Sequence, residues 1–208
     1  AMNNSHVAFY DAEYMKEFFD VYDVNDVESV LVYVEDFYNI LKSAHKNDEL
    51  VLESDENYLK ITLEHDGNRR LFELPLGEDY GSVPVPPSLE YGTVFSVLID
   101  DLKLPCHDLD KIIKTNKFTM EVNLDELSII SPVDSLTKYK QIIDIDDVMS
   151  ARTVVDLTYI QQLLKLSKID KMVEFKIGDN VPVSWSVTSA FEDIHISGLI
   201  APIIENED

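Results

Sequence analysis

The sequence is poor in positive charge and nearly devoid of cysteine. Its 208 residues include 17 lysines and arginines against 40 aspartates and glutamates, which gives a formal net charge of -23 at pH 7. Because contacts to phosphate need lysine and arginine, this balance argues against general affinity for nucleic acid unless the positive charge is concentrated on one surface. Cys106 is the single cysteine, which excludes an intrachain disulfide and favours a reducing compartment.

The sequence also lacks the long apolar runs of membrane proteins and the leader of an exported one. No run approaches the roughly 20 apolar residues that span a bilayer. The first residues, AMNNSHVAFYD, contain neither the basic nor the apolar region of a signal peptide. With 45% hydrophobic residues and 10% aromatics, the composition is that of a globular chain. We therefore expect a folded, soluble protein of the cytoplasm that has no membrane partner.

Catalytic motifs are missing as well. The five histidines form no HExxH pair, and the chain contains neither a phosphate-binding glycine loop nor a GxSxG motif. Cys106, His107 and Asp108 are adjacent, but consecutive helical residues point in different directions and cannot converge on one metal ion. The acidic run at 144–147 lacks the glycine and final glutamate of a calcium loop. The sequence therefore predicts a protein that is not an enzyme and that binds neither a cofactor nor a metal ion. A metal-dependent nuclease is the competing class of function, and only the abundance of acidic residues supports it.

The chain contains two copies of one pattern of secondary structure. Residues 28–76 are predicted to form a strand, a helix and three further strands, with a hairpin turn at Asp66-Gly67. Residues 153–200 repeat this order, and aligning Lys42 with Lys165 superimposes the copies at an offset of 165 − 42 = 123 residues. The repetition predicts an α+β protein of two similar domains, each with helices packed on antiparallel strands.

A proline-rich segment separates the two copies. Residues 78–92 show no clean hydrophobic period, which indicates an extended connector. We assign residues 1–77 to a first domain and residues 93–208 to a second. The second domain opens with a strand, a helix near 101–115 and further strands that have no counterpart at the start of the chain. The first domain is therefore expected to be incomplete at its beginning.

Positive charge recurs on one side of three predicted helices, opposite the apolar side. In the helix near 101–115, the residues predicted to be buried on the apolar side are Leu102, Cys106, Leu109, Ile112 and Ile113. An ordinary solvated helix surface explains any one of these stripes. Their recurrence on helices related by an internal duplication favours a functional surface instead. The stripes comprise Lys42 and Lys46 on the helix at 36–46, Lys103, His107, Lys111 and Lys114 on the helix near 101–115, and Lys165 and Lys168 on the helix at 158–168.

Five segments along the chain resemble the sliding clamp family, proliferating cell nuclear antigen (PCNA), and are most similar to its archaeal members. They are AMNNSHVAFYD, FYNILKSAHKND, ENYLKITLEHDGNRRLFELPL, DNVPVSWSV and LIAPIIENED. Their order and spacing, together with the duplication, carry the resemblance. A strand and a lysine-bearing helix that precede the first of these segments in the family have no counterpart in this sequence.

The resemblance implies a DNA clamp fold, also called the processivity fold. Three subunits of two similar domains form a ring, helices line its central hole, and an acidic shell of strands lies outside. The lysine stripes would then face duplex DNA, whose phosphates they contact without reading sequence. The implied function is that of a DNA polymerase processivity factor, in the cytoplasm of an archaeon or the nucleus of a eukaryote. A checkpoint-type clamp, or one subunit of a heterotrimeric clamp, is the alternative.

The resemblance also implies two protein-binding surfaces. DNA polymerase, the clamp loader, flap endonuclease and ligase would each insert a short peptide motif into a pocket under the connector. Neighbouring subunits would pair the edge strand RRLFELPL of one chain with KYKQIIDID of the next. The pocket would comprise Met2, His6, Val83, Val85, Pro182, Leu199, Ala201, Pro202 and Ile203, and the subunit interface Leu71, Phe72, Leu74, Tyr139, Ile142 and Ile143.

Overall fold

The computed structural model describes residues 8–24, 30–77, 88–179 and 181–204. Its contacts divide the chain into two units. The described part of the larger unit is 8–22 with 88–179 and 181–204, and that of the smaller is 23–24 with 30–77. This division differs from the predicted first domain of residues 1–77, because the first strand pairs with the last strand of the chain. Most of the predicted connector, residues 78–87, lies outside the described residues.

The smaller unit is a three-stranded antiparallel sheet with one helix. The helix is α1 (Val34–Lys42), and the strands are β2 (Glu49–Ser54), β3 (Tyr58–His65) and β4 (Asn68–Pro75), in the order β2-β3-β4. The predicted turn at Asp66-Gly67 is confirmed: both residues have positive φ, 45° and 78°, as a tight two-residue hairpin requires. The core consists of Leu59, Ile61 and Leu74, with Val32, Phe37, Ile40, Phe72 and Leu76 packed against it.

Two predictions for this unit are wrong in detail. The predicted strand before α1 is not formed, because residues 30–33 have no regular structure where the chain is described. The helix ends at Lys42 rather than continuing to residue 46. Ser43 closes it by donating a side-chain hydrogen bond to the Ile40 carbonyl at 2.7 Å, since a hydroxyl there competes for the last helical acceptors.

The larger unit contains a five-stranded antiparallel sheet in the order β1-β10-β9-β8-β5 and a long hairpin of β6 and β7. Buried and exposed side chains alternate along β5, β8 and β9, as expected of a sheet with one covered face. The strands are β1 (Ala8–Tyr14), β5 (Thr93–Leu98), β6 (Lys117–Ile130), β7 (Lys140–Asp156), β8 (Met172–Ile177), β9 (Val183–Thr188) and β10 (Ile194–Ile200).

A close backbone approach holds β1 against this sheet. Tyr10 of β1 lies opposite Gly198 of β10, which lies opposite Trp185 of β9. A Cβ on Gly198 would come within 2.6 Å of the Trp185 ring and 2.7 Å of the Phe9 carbonyl oxygen, so only glycine fits. The Tyr10 hydroxyl donates a hydrogen bond of 3.0 Å to Gln162. These contacts explain why the first described strand belongs to the larger unit.

Two short helical segments cover the inner face of the larger sheet. The first runs as a 3₁₀ turn (Ile99–Leu102), helix α2 (Lys103–Asp108) and a π turn (Leu109–Ile113). The second is helix α3 (Leu157–Leu163), capped by the Asp156 carboxylate, with a 3₁₀ turn (Leu164–Lys168) behind it. Strand, helix and strands from β7 to β10 confirm the predicted second copy.

Ile112 does not follow its predicted place on the buried side of the second lysine-bearing helix. Leu102, Cys106 and Leu109 are buried as predicted, whereas Ile112 is 62% exposed. The segment widens into a π turn after Asp108, and the Lys114 N–H donates to the Leu109 carbonyl five residues earlier. The extra residue in that turn shifts Ile112 off the apolar side, an effect that hydrophobic spacing alone does not predict.

Candidate nucleic-acid interface

Helices α2 and α3 of the larger unit pack against each other. The basic residues predicted on them all have exposed side chains: Lys103, His107, Lys111, Lys114, Lys165 and Lys168. The structure thus brings the second and third predicted stripes together on neighbouring elements of one unit. Lys114 follows the π turn with a φ of 59°, and Lys165 and Lys168 lie on the 3₁₀ turn rather than on α3 itself.

Two lysines of the second stripe have acidic partners. Lys103 forms an ion pair with Asp100 at 2.5 Å, and Lys111 forms one with Asp110 at 2.7 Å. Lys111, followed by a hydrogen bond from Gln161 of α3, lowers the pKa of Asp110 and keeps it charged. These lysines are therefore partly neutralised. Both acidic residues stand near their partners in the sequence: Asp100 precedes Lys103 by three residues, and Asp110 precedes Lys111 by one.

The remaining lysines of this surface are the ones available to an external anion. Within the described ranges, no carboxylate lies at ion-pair distance from Lys114, Lys165 or Lys168. An unpaired exposed lysine keeps its full charge and its hydration, and it gains most from a phosphate. The three therefore form the strongest part of this candidate surface.

The smaller unit contributes two exposed lysines. The Lys42 ammonium lies 5.7 Å from the centroid of the Tyr38 ring, a cation–π distance. Lys46 lies beyond the end of α1, in the turn that leads to β2. The predicted stripe of Lys42 and Lys46 along one helix is thus broken, because Lys46 is not helical.

The predicted peptide pocket is described only in part. Met2, His6, Val83 and Val85 lie outside the described residues. The remaining pocket residues, all half-buried on the larger unit, are Pro182, Leu199, Ala201, Pro202 and Ile203. The Ile203 N–H donates a hydrogen bond of 2.8 Å to the Val154 carbonyl of β7, so the tail lies against that strand.

Some residues of the predicted subunit interface are exposed, and others are buried in the core of their own unit. Leu71 of β4 and Ile142 of β7 are 62% and 45% exposed. Leu74 and Ile143 are only 4% and 9% exposed because side chains alternate across a strand, and their assignment to an interface is corrected. Phe72 packs against the core of the smaller unit.

Tyr139 also belongs to its own unit rather than to an exposed edge. Its N–H donates to the Ser131 hydroxyl at 3.0 Å, and its carbonyl accepts from the Ser131 N–H at 3.0 Å. Burial, followed by the nearby Asp108 carboxylate, raises the pKa of Tyr139 to about 12. No local pattern in the sequence predicts that Asp108, at the end of α2, lies next to Tyr139, just before β7.

The acidic side chains do not assemble into a metal site in the described part of the chain, where no group of three or more histidine, cysteine or acidic residues is arranged to hold an ion. Burial raises the pKa of the Cys106 thiol to about 12, which makes it a poor ligand and nucleophile. Among the residues described, no helix has the length and apolar character needed to cross a membrane.

The chain is similar to several known proteins. The DNA polymerase sliding clamp of Methanothermobacter thermautotrophicus is 30% identical over 211 residues, which cover 100% of this chain and 84% of that protein. The clamp of Methanobrevibacter smithii is 26% identical over the same length, with the same coverage. No protein-family model matches the sequence.

Two solved structures share the fold. A PCNA2-PCNA3 complex from Sulfolobus tokodaii superimposes with a TM-score of 0.83 at 24% identity, over 99% of this chain and 85% of that one. PCNA from Thermococcus kodakaraensis gives the same TM-score at 22% identity, over 98% of this chain and 85% of that one. With its duplicated strands, its lysine-bearing helices and a relative at 30% identity, the chain belongs to the family of DNA polymerase sliding clamps of the archaeal PCNA type, and its fold is the DNA clamp fold.

Proposed function

We propose that this protein is a processivity factor that encircles duplex DNA and tethers DNA polymerase to it. The single observation that carries the proposal is the surface of Lys114, Lys165 and Lys168, exposed lysines with no ion-pair partner among the described residues, in a chain of net charge -23. Such a surface attracts phosphates without reading bases, while acid elsewhere repels DNA from other faces. Lys42 and Lys46 of the smaller unit are proposed to contact phosphates as well.

The proposal includes a ring of three subunits. Leu71 on β4 and Ile142 on β7 are exposed apolar side chains on strands that, where the chain is described, pair on one side only. Head-to-tail pairing of two unlike edges closes a ring when the rotation fits. The Sulfolobus tokodaii structure is of a PCNA2-PCNA3 complex, so a ring of unlike subunits is the second candidate. The relatives from Methanothermobacter and Methanobrevibacter are both named DNA polymerase sliding clamps, and these names do not favour a checkpoint-type clamp.

The proposal assigns no catalytic step to the protein itself. Its protein partners would be DNA polymerase, the clamp loader, flap endonuclease and ligase, each carrying a short peptide motif. The half-buried tail from Ala201 to Ile203, next to Leu199, supports this site because it offers apolar surface and backbone groups to an incoming peptide.

A charge-matched pair of variants tests the DNA contact. The test variant replaces Lys42, Lys46, Lys165 and Lys168 with alanine. The control replaces four lysines elsewhere with alanine, so both variants have the same net charge: Lys16, Lys60, Lys138 and Lys176. The free energy of unfolding should change little in either variant, by about 0.5 kcal/mol or less for each exposed site.

The measurements are retention on linear DNA with blocked ends and stimulation of polymerase, over a range of salt concentration. We expect the test variant to lose retention at lower salt than the parent, because each phosphate contact contributes about 0.9 to the slope of log K against log salt. The control should behave as the parent. If both variants slide and stimulate equally well at every salt concentration, the lysines are ordinary solvated side chains and the proposal is wrong.

A further inference from the structure

A buried carboxylate lies beneath the turn that carries Lys46 in the smaller unit. The Asp48 side chain is only 2% exposed. Its Oδ2 accepts a hydrogen bond of 2.5 Å from Arg70 of β4 and one of 2.9 Å from the His45 N–H. A carboxylate with so little exposed surface is stabilised by a charged partner and hydrogen bonds, so the arrangement favours one position for all three groups.

Arg70 also reaches the end of α1. One guanidinium nitrogen donates to Asp48, and the other donates to the Ser43 carbonyl at 3.1 Å. The planar fork of arginine allows both contacts at once, which a lysine could not reproduce. Arg70 thus joins β4 to both ends of the turn between α1 and β2.

The turn itself contains a conformation that needs support. Asn47 has a φ of 77°, in the left-handed region that non-glycine residues rarely adopt. Its carbonyl oxygen lies 3.4 Å from Nδ1 of His65 on β3. Lys46 is exposed and immediately precedes this residue, so the direction of its backbone depends on the contacts of Asp48 and Arg70.

The charges that face Asp48 favour its ionised form. The hydrogen bond from the His45 N–H and then the contact with Arg70 lower the pKa of Asp48, against the opposing effect of burial. Its second oxygen, Oδ1, lies 4.0 Å from Nδ1 of His45 and 3.7 Å from Nδ1 of His65. All the groups that approach the carboxylate are therefore donors or potential cations.

We propose that Arg70 and Asp48 are positioning residues for DNA contact, because they hold the turn so that Lys46 projects in one direction. The inference rests on the proposed function, since it supplies the reason for a fixed lysine. The Arg70 side chain is 36% exposed, but its guanidinium donates to Asp48 and to the Ser43 carbonyl, so it is proposed to act through Lys46 rather than by contacting DNA. A rigid lysine loses less conformational freedom on meeting a phosphate than one on a mobile turn.

The neighbouring residue, Arg69, provides a matched control. It lies on the same strand, forms one ion pair, with Glu64 at 2.7 Å, and does not contact the turn. Arg69→Gln and Arg70→Gln therefore remove the same charge from adjacent positions. The remaining variants are Lys46→Ala and the double variant Arg70→Gln with Lys46→Ala, all made in the full chain.

Two measurements are made on each variant. Amide hydrogen exchange at His45 reports whether the turn is held, and retention on blocked linear DNA against salt reports the contact. We expect Arg70→Gln to accelerate exchange at His45 by about tenfold or more, the change that loss of a charge-assisted hydrogen bond produces. Its retention should fall to that of Lys46→Ala, and the double variant should be no worse than either single one. Arg69→Gln should match the parent in hydrogen exchange at His45. Because both arginines lie on the strand proposed for subunit contact, retention is compared only between variants that sediment as the parent does.

The inference is overturned if Arg70→Gln retains DNA as the parent does, if the two losses add in the double variant, or if Lys46→Ala has no effect. A variant of Lys165 and Lys168 separates this failure from failure of the proposed function. If Lys165→Ala with Lys168→Ala loses retention while Arg70→Gln does not, only the positioning role is wrong. If neither loses retention, the proposed DNA surface is wrong as well.

Discussion

Replacement of Gly198 by alanine should destabilise the larger unit, because a side chain at this position has no room. The new Cβ would lie 2.6 Å from Cζ2 and 2.7 Å from Cε2 of Trp185, and 2.7 Å from the Phe9 carbonyl oxygen. Trp185 is 2% exposed and is already in contact with the Tyr10 ring, whose centroid lies 5.9 Å away. Either the indole must turn within the core, or β1 must move away from β10.

The expected cost follows from these distances. Overpacking a filled core costs about 1–3 kcal/mol. The loss of glycine's freedom in the unfolded chain returns about 0.4–1 kcal/mol. The net change is a destabilisation of about 1–2 kcal/mol. Each kcal/mol shifts the thermal unfolding midpoint of a chain of this size by about 2–4 °C, so the midpoint should fall by roughly 2–8 °C.

The chain's single tryptophan is the assay, since fluorescence of Trp185 reports unfolding of the larger unit. Gly92→Ala is the control, because a Cβ at Gly92 would meet its nearest neighbour, the Ile177 carbonyl oxygen, at 3.8 Å. That variant should be neutral or slightly more stable. Equal midpoints for the two variants would refute the argument that the indole and β1 exclude a side chain at Gly198.

Two further predictions concern the protein surfaces. Leu71→Asp or Ile142→Asp should leave monomers in analytical ultracentrifugation, because a charge would replace an exposed apolar contact between subunits. Val94→Asp is the control and should not change the assembly, although Val94 is as exposed as Ile142, at 45%. An unchanged sedimentation profile for the first two variants would count against the interface. Deletion of residues 202–208 should abolish binding of a labelled peptide that carries a glutamine, an aliphatic residue and two aromatic residues, measured by fluorescence anisotropy. Undiminished affinity in the shortened chain would exclude the tail as part of the pocket.

Local patterns in the sequence predicted the parts of the fold that depend on neighbouring residues. The turn at Asp66-Gly67 follows from the two residue types that tolerate positive φ. The order of strand, helix and strands from β7 to β10 follows from the change of hydrophobic period. The exposure of Lys165 and Lys168 follows from their place opposite the apolar residues of the same segment.

The features that the sequence did not predict depend on partners far apart in the chain or on irregular backbone. The first described residues were assigned to the first domain but belong to the larger unit, because Ala8 pairs with Ile200, and no local signal marks that contact. The exposure of Ile112 depends on a π turn that hydrophobic spacing does not mark. The burial of Asp48 depends on Arg70, 22 residues away, and an aspartate after a lysine-bearing helix is normally solvent-exposed.

The pairing of β1 with β10 has a consequence for how the protein is made. Ala8 and Ile200 are 200 − 8 = 192 residues apart, so a ribosome that adds about 5–20 residues per second completes β10 roughly 10–40 s after β1. Strands β2 to β4 lie within 27 residues, Glu49–Pro75, and their contacts can form long before. During synthesis β1 must wait with its pairing edge open, so the larger unit is completed only when the last strand leaves the ribosome.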